Sequence, residues 1–568
     1  MRQSGFAFPL RGALRLGALA LVVAGLTLAI RRPPKAVPRR DVPRISFYDR
    51  TGSVELSAGG HARAEHFLRQ AEQQARALLC GERREDCPAL GARRLQVVTT
   101  LDPAAQEIVE RWISQAVPPV EPSSQVPDDA PAGEISTAPE WLALVHAQRA
   151  HNAAAAVLDY RTGEVLAYLG SADPSATSGT AAFQPQFDVL AQGWRQGASA
   201  VKPFNYILGI EEHRFTAATL FMDVVTDFTR DGYAPAQENR FERGPVRLRQ
   251  ALQFSLNVPA VKASYRNGLD RLFASTKDWG IAYQAGAKPA PSMALGTLEL
   301  HPIDLLSAYG ALANHGVWLP RRYVRRIVDE RGAILWDEDG EAPRSRRVAS
   351  AAAAFIVTDI LAGNTDPAQN PVWGRWAVWQ GDQRRPAAYK TGTSDHAVDV
   401  QAYGFTAPPA DPAAPAFAVG VWLGNNDGSP TGRLEGLTAA APLWNAILTD
   451  LTRGAPIAEF EPPPGLVRTC VDAHSGLLPG PHTLACVHEY FLAGTEPTQI
   501  DDTKVEQAID EATGLLWVDG CTGPRTVGTF LDLERVEADV PEWRPANKDW
   551  IARASLGPGR AGGPRAAR

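Results

Sequence analysis

Cysteine, methionine and lysine are all scarce in this chain of 568 residues, numbering five, three and eight. Five cysteines with no C-x-x-C pair exclude a small fold stapled by disulfides. There is no strong excess of either charge: 57 basic and 63 acidic residues leave a balance of −6. No broad basic face therefore points to nucleic acid as a partner. A single long uncharged apolar run excludes a polytopic membrane protein, and 45% hydrophobic residues exclude a disordered chain. What is left is a large globular protein, long enough for three to four domains at about 150 residues each. Because surface positive charge falls almost entirely on arginine, each lysine becomes a position to question.

The apolar run is Leu16–Ile30, bordered by Arg11 and Arg15 on one side and Arg31 and Arg32 on the other. At about 1.5 Å per residue it reaches only about 22 Å, but arginine stems snorkel and lengthen the usable span. No small-x-small cleavage site precedes Arg31-Arg32-Pro33-Pro34. The run reads as an uncleaved signal anchor, with a cleaved signal peptide as the competing reading. Both flanks are basic, so charge does not set the orientation. A short N-terminal tail staying inside would put residues 31–568 across the membrane.

Punctuation divides the rest. We expect a cytoplasmic tail at 1–12, a membrane helix at 13–30, a Pro/Arg linker at 31–44 and an N-terminal linker domain at 45–118. A Pro/Ser/Asp-rich flexible insert follows at 119–139. A large mixed α/β domain covers 140–456, a C-terminal module covers 457–553, and 554–568 reads as a disordered tail. Helices are expected around 61–79 and 103–116. Two hairpins are expected, one turning at Arg161-Thr162-Gly163 and one through the Pro/Ala loop at 407–416.

Three short motifs lie in one order within the large domain. Ser199-Ala-Val-Lys202 places a hydroxyl and an amine at i and i+3 of a helix, on one face. Ser255-Leu-Asn257 follows in a helical setting interrupted at Pro259, and Lys390-Thr391-Gly392 precedes the second hairpin. Alone, each has a bland reading as a cap, turn or surface lysine. Together, in this order, coincidence is the weaker explanation.

Each motif has a job in acyl transfer. Ser199 attacks a carbonyl and becomes an ester, while Lys202 accepts its proton. Lys202 does this only when neutral, which burial and a nearby cation favour. Lys390 is that cation and also attracts a substrate carboxylate. Ser255 relays a proton between the amine and the leaving group. Asn257 and Thr391 are placed for substrate, Asn257 through an amide that both donates and accepts. Gly392 lets a substrate backbone lie against a strand edge. The backbone N–H groups of Ser199 and Thr393 form the oxyanion hole. No cofactor and no metal is expected.

The set S-x-x-K, S-x-N and K-T-G resembles that of the penicillin-binding protein transpeptidases. The context RQGASAVKPFNYILGI is similar to their active-serine helix, and YKTGTSDHAVDVQAYGFT and VGVWLGNND resemble the strands around K-T-G. LQVVTTLDPAAQEIVE is similar to the linker into the transpeptidase half of class A, bifunctional members. The similarity spans roughly residues 95–500. It implies an α/β (α+β) fold, an antiparallel sheet flanked by helices of the penicillin-binding/β-lactamase type, with small accessory modules. It implies a membrane-anchored, periplasmic serine D,D-transpeptidase that cross-links peptidoglycan stem peptides ending in D-Ala-D-Ala and is acylated by β-lactams. About 64 residues separate Arg31 from Arg94, too few for the glycosyltransferase domain of class A members. No glycosyltransferase activity is therefore expected, and a separate glycosyltransferase or a protein of the division or elongation machinery becomes a possible partner.

Two departures stand out. Members carry Pro-Gly before the nucleophile where this chain has Gly197-Ala198, a change read as neutral at a helix entry. The aromatic residue that follows the hairpin's first Asp is replaced in Asp399-Val400-Gln401, which puts substrate preference in question. Glu299 as the deacylating base of a β-lactamase is the weaker reading. Cys470, Cys486 and His488 lack a fourth ligand for a metal, so a Cys470–Cys486 disulfide is expected. Cys80 and Cys87 are placed to close a short loop, leaving Cys521 unpaired. His396 reads as a loop residue and Trp422 as core. A D,D-carboxypeptidase with the same site and a penicillin-binding sensor or scaffold are the competing functions.

Overall fold

The computed structural model describes residues 45–56, 64–81, 94–118, 139–228, 242–338, 344–512 and 516–554. The expected anchor, most of the insert and the C-terminal tail lie outside the described residues. Among the described residues, no helix is long and apolar enough to cross a membrane.

The architectural centre is a five-stranded antiparallel sheet. Its strands are β1 (Asn152–Asp159), β2 (Glu164–Leu169), β3 (Ala387–Thr393), β4 (Asp399–Thr406) and β5 (Phe417–Gly424), in the order β3-β4-β5-β1-β2. The first expected hairpin is β1–β2, turning through 160–163, and the second is β4–β5. Strand β1 reads NAAAAVLD and is buried along its whole length. Successive side chains of a strand point to opposite faces, so Ala153, Ala155 and Val157 enter one core and Ala154, Ala156 and Leu158 the other. Alanine leaves room for helices to approach both faces closely.

On one face lie α1 (Pro103–Ala116) and α7 (Ala441–Leu451), contributing Val109, Ile113, Trp444 and Ile447. On the other lie α2 (Lys202–Glu211), α5 (Pro302–Ala313) and α6 (Ala351–Ala362), with Phe204, Leu305, Tyr309 and Ile356. Helix α1 begins where Asp102 accepts from the N–H groups of Ala104 and Ala105 and Pro103 occupies the first turn. Two further helices, α3 (Leu248–Gln253) and α4 (Asn257–Asn267), follow one another with three residues between them. Pro259 does not interrupt the second. It stands in the first turn of α4, where a backbone N–H would have no intrahelical partner and its loss costs nothing.

Residues 45–118 share a sheet with the large domain. Strand Ile45–Tyr48 pairs in parallel with Leu95–Thr99, which pairs antiparallel with Val324–Asp329. The C-terminal module contains the hairpin β6 (Leu466–Asp472) and β7 (Cys486–Leu492), in which Cys470 and Cys486 are disulfide-bonded across strands with α-carbons 5.7 Å apart. Cys80 is disulfide-bonded, Cys87 lies outside the described residues, and Cys521 is free.

Candidate active site

Three separate pieces of chain converge on one cleft of about 1230 Å³. The first is the turn that carries Ser199, a single 3₁₀ turn (Ala198–Val201) running directly into α2. The residue before the serine, Ala198, has φ +44°. Left-handed backbone is costly for any residue with a Cβ, which gives a reason for glycine in the family's motif and makes the Ala here a strained choice rather than a neutral one. The turn is braced by Gly296, itself at φ +76°. A Cβ there would fall 2.1 Å from the Ala198 carbonyl oxygen, and its own carbonyl accepts from Ala198 N–H at 3.0 Å.

The second piece is the junction between α3 and α4. Ser255 sits there at φ +60°. The third is the edge strand β3, whose outer end brings Thr391 and Thr393 to the cleft. Ser199, Ser255, Asn257, Thr391 and Thr393 all line it.

Behind this wall the two lysines meet at one hydroxyl. Lys390 Nζ donates to Ser255 Oγ at 2.8 Å, and Lys202 Nζ lies 3.4 Å from the same oxygen. Lys202 also donates to the Ser255 carbonyl at 2.5 Å and to Asn257 Oδ1 at 2.7 Å. Both amine nitrogens belong to side chains with no solvent exposure. Lys390 has further support from the Thr391 carbonyl at 3.0 Å and from the face of Trp373, 4.7 Å from the ring centre. The i and i+3 spacing of Ser199 and Lys202 thus leads into a chain of donors and acceptors, buried at Lys202, Ser255 and Lys390 and half-buried at Asn257, in which every motif takes part.

Gly392 departs from its expected role. A Cβ on it would come 2.8 Å from Gly197 O and 3.3 Å from Ala198 Cβ. The glycine is needed because the turn that carries Ser199 lies against β3, and Gly392 is not part of the cleft lining. Gly436 does the same from the other side: its missing Cβ clears Thr391, and its N–H donates to Thr393 Oγ1 at 2.8 Å.

The hairpin departure also has a structural account. Val400 is core. Gln401 is fully buried, donates to Gln196 O at 2.5 Å and accepts from Tyr403 Oη at 2.8 Å. Asp399 accepts from Gln196 N–H at 3.2 Å and from the Trp422 indole at 2.8 Å. Burial pushes the Asp399 carboxyl up, against the opposing pull of Arg195 and Trp422. These side chains fasten the strand that leads into Ser199. Trp422 is buried as expected, and Glu299 does not line the cleft. His396 lines its rim, exposed. Arg243, Trp373 and Arg433 line the cleft as well, and none stands in a short motif.

The fold and the site together define a serine acyltransferase-type domain. The model of the "Penicillin binding protein transpeptidase domain" matches residues 153–449, and that of the "Penicillin-binding protein 1A, C-terminal domain" matches residues 462–506. The chain belongs to the penicillin-binding protein transpeptidase family. It is 31% identical to penicillin-binding protein 2D of Bacillus subtilis over 60% of this chain and 47% of that protein. It is 30% identical to a penicillin-binding protein 1A of Clostridium botulinum over 64% of this chain and 43% of that protein. The chain thus spans about half the length of the curated relatives it matches. Penicillin-binding protein 1A from Haemophilus influenzae has the same fold, with a TM-score of 0.59 at 18% identity over 77% of each chain. So does PonA1 from Mycobacterium tuberculosis in complex with penicillin V, with a TM-score of 0.55 at 21% identity over 70% of this chain and 96% of that one.

Proposed function

We propose that the chain is a serine D,D-transpeptidase that cross-links peptidoglycan stem peptides and is acylated by β-lactams. The observation that supports it most is the meeting of Lys202 and Lys390 at Ser255 Oγ, immediately behind the Ser199 turn. In this reading Ser199 Oγ attacks the carbonyl carbon of the penultimate D-Ala. Its proton passes to neutral Lys202 and on through Ser255 to the departing nitrogen, so the peptide C–N bond breaks and terminal D-Ala leaves as an amine. Lys390 stays charged, lowering the cost of negative charge near Ser255 and favouring the substrate's terminal carboxylate beside Thr391 and Thr393. The N–H groups of Ser199 and Thr393 stabilise the tetrahedral oxyanion. Asn257 holds the donor's amide, and the donor backbone extends along edge strand β3. An amine of a second stem then displaces Ser199 from the ester.

Residues 13–30 are the anchor of this enzyme in the reading we favour, with the catalytic domain on the outer side of the cell membrane and a separate glycosyltransferase as a candidate partner. Labelling the protein with a fluorescent penicillin, with Ser199→Ala beside it, tests the nucleophile. Label on the mutant would sink that assignment. A stem pentapeptide offered with and without an acceptor amine separates transfer from hydrolysis. Release of D-Ala with no cross-linked product would make the chain a D,D-carboxypeptidase instead.

A further inference from the structure

The turn that presents Ser255 is held from outside the transpeptidase domain. Only Phe254, Ser255 and Leu256 separate α3 from α4, and the middle residue has left-handed backbone. Such a conformation persists where its surroundings over-determine it. Both flanking helices are gripped by carboxylates of the C-terminal module. At the start of α3, Glu489 of β7 accepts from Arg247 and from Arg249 Nε at 2.7 and 2.9 Å, and Arg247 Nε also donates to Ala473 O at 3.1 Å. On α4, Lys262 donates to Glu537 Oε2 at 2.6 Å and to Met222 O at 2.9 Å. Glu537 completes the loop by accepting from Met222 N–H at 3.0 Å and from Asn547 at 3.1 Å. The side chains of Glu489, Glu537 and Lys262 have no solvent exposure.

Buried charges of this kind are poor sources of net stability, since desolvation offsets most of their attraction, but removing one partner alone is costly. Their value lies in direction. A paired, hydrogen-bonded charge adds a directional constraint on where a helix sits, whereas the hydrophobic contribution is non-directional. Helix α4 begins at Asn257, the group that accepts from Lys202 at 2.7 Å. A shift along α4 therefore alters Asn257 and Ser255 together. Glu537 lies beyond the 462–506 segment that the C-terminal family model matches.

We infer that the C-terminal module is a clamp on the catalytic turn, with Glu489 and Glu537 as positioning residues that set Ser255 and Asn257 against Lys202. The inference rests on the reading that Ser199 is acylated. It predicts a loss of rate in molecules that remain folded and competent to be labelled. A misplacement of about 1 Å is enough to slow a chemical step by up to about a hundredfold.

The test follows fluorescent-penicillin acylation in time over a range of penicillin concentrations, with the whole chain, for wild type and Glu537→Gln. The double variant Lys262→Met/Glu537→Met leaves no unpaired charge and serves if the single variant does not fold. Both variants are expected to reach about one label per chain, with a limiting rate constant at least about tenfold lower and an unchanged half-saturating concentration. Wild-type rate constants in labelled variants, or a loss of label that only follows the folded fraction, would overturn the clamp. A wild type that takes no label overturns the acylation reading itself, and the clamp with it.

Discussion

Lys202 and Asn257, 55 residues apart, meet at 2.7 Å at the base of the cleft, and the carbonyl of Ser255 completes the grip on the same amine nitrogen. In the proposed reading this amine takes the proton of Ser199, with the second lysine facing it across one hydroxyl. That relationship is the physical centre of the proposed chemistry, and it sets the first expectation.

Lys202→Arg keeps a cation of similar length, but guanidinium does not deprotonate near neutral pH. Acylation of Ser199 should fall by about 10²–10⁴, the usual share of a general base. The measurement is the rate of fluorescent-penicillin labelling. Rates within a factor of about three of wild type would remove Lys202 from the base role.

Ser255→Ala deletes the oxygen on which both lysines converge and leaves Lys390 without its 2.8 Å acceptor. Acylation should slow, and the fold should lose about 1–3 kcal/mol for the buried donor left unsatisfied. Thermal unfolding beside labelling kinetics reads both effects. An unchanged melting temperature would contradict the proposed importance of that hydrogen bond.

Ala198 at φ +44° invites a comparison of Gly and Val. Ala198→Gly relieves left-handed strain while adding freedom to the unfolded chain, so stability should change by less than about 1 kcal/mol. Ala198→Val places a β-branched residue in the same conformation and should cost more than about 2 kcal/mol. Equal melting temperatures for the two variants would show that the turn relaxes freely.

Asp472 supplies a pH signature. Burial raises its carboxyl, but Lys504 and the N–H groups of Ser475 and His474 outweigh that and hold it down at about 2. With a folded value below the ordinary 3.8, its contribution is fully present above about pH 4 and is lost as pH falls toward 2. It amounts to roughly 2 kcal/mol. Stability measured against pH should fall less steeply between pH 4 and 2 in Asp472→Asn than in wild type.

The Cys470–Cys486 disulfide closes a loop spanning 16 positions. Cys470→Ser/Cys486→Ser should destabilise the C-terminal hairpin by about 3 kcal/mol. Earlier loss of protection of β6 and β7 in hydrogen exchange is the measurement.

Much of this site is legible in the sequence because its elements are short and locally coded. Ser199 and Lys202 stand at i and i+3, and K-T-G precedes a hairpin whose apolar runs mark a sheet buried on both faces. The disulfide of Cys470 and Cys486 is expected because, with His488, the two cysteines lack a fourth ligand for a metal. What is hidden is whatever depends on contacts distant in the chain. Nothing near Gly392 reveals that its missing side chain makes room for Gly197 and Ala198. Nothing near Gln401 shows that its amide ties down Gln196. The pairing of Leu95–Thr99 with Val324–Asp329 joins segments that punctuation separates, because a Pro-rich stretch does not mark the limit of a sheet. Left-handed backbone at Ala198 and Ser255 is invisible in the sequence for a related reason: the strain is imposed by packing, not by residue type.

The pairing of Lys262 with Glu537 has a consequence in time. The two are separated by 275 positions, so the lysine emerges during synthesis long before the carboxylate that neutralises it. Until then an ammonium group destined for a dry site has no counter-charge, and α4 stays hydrated or loosely docked. Synthesis proceeds from the N-terminus at about 5–20 residues per second, which delays the final seating of the catalytic turn by about 14–55 s. In the clamp reading the site is therefore seated after the sheet that supports it. In the clamp reading, an incomplete chain carries every proposed catalytic side chain before the contact that seats two of them has formed.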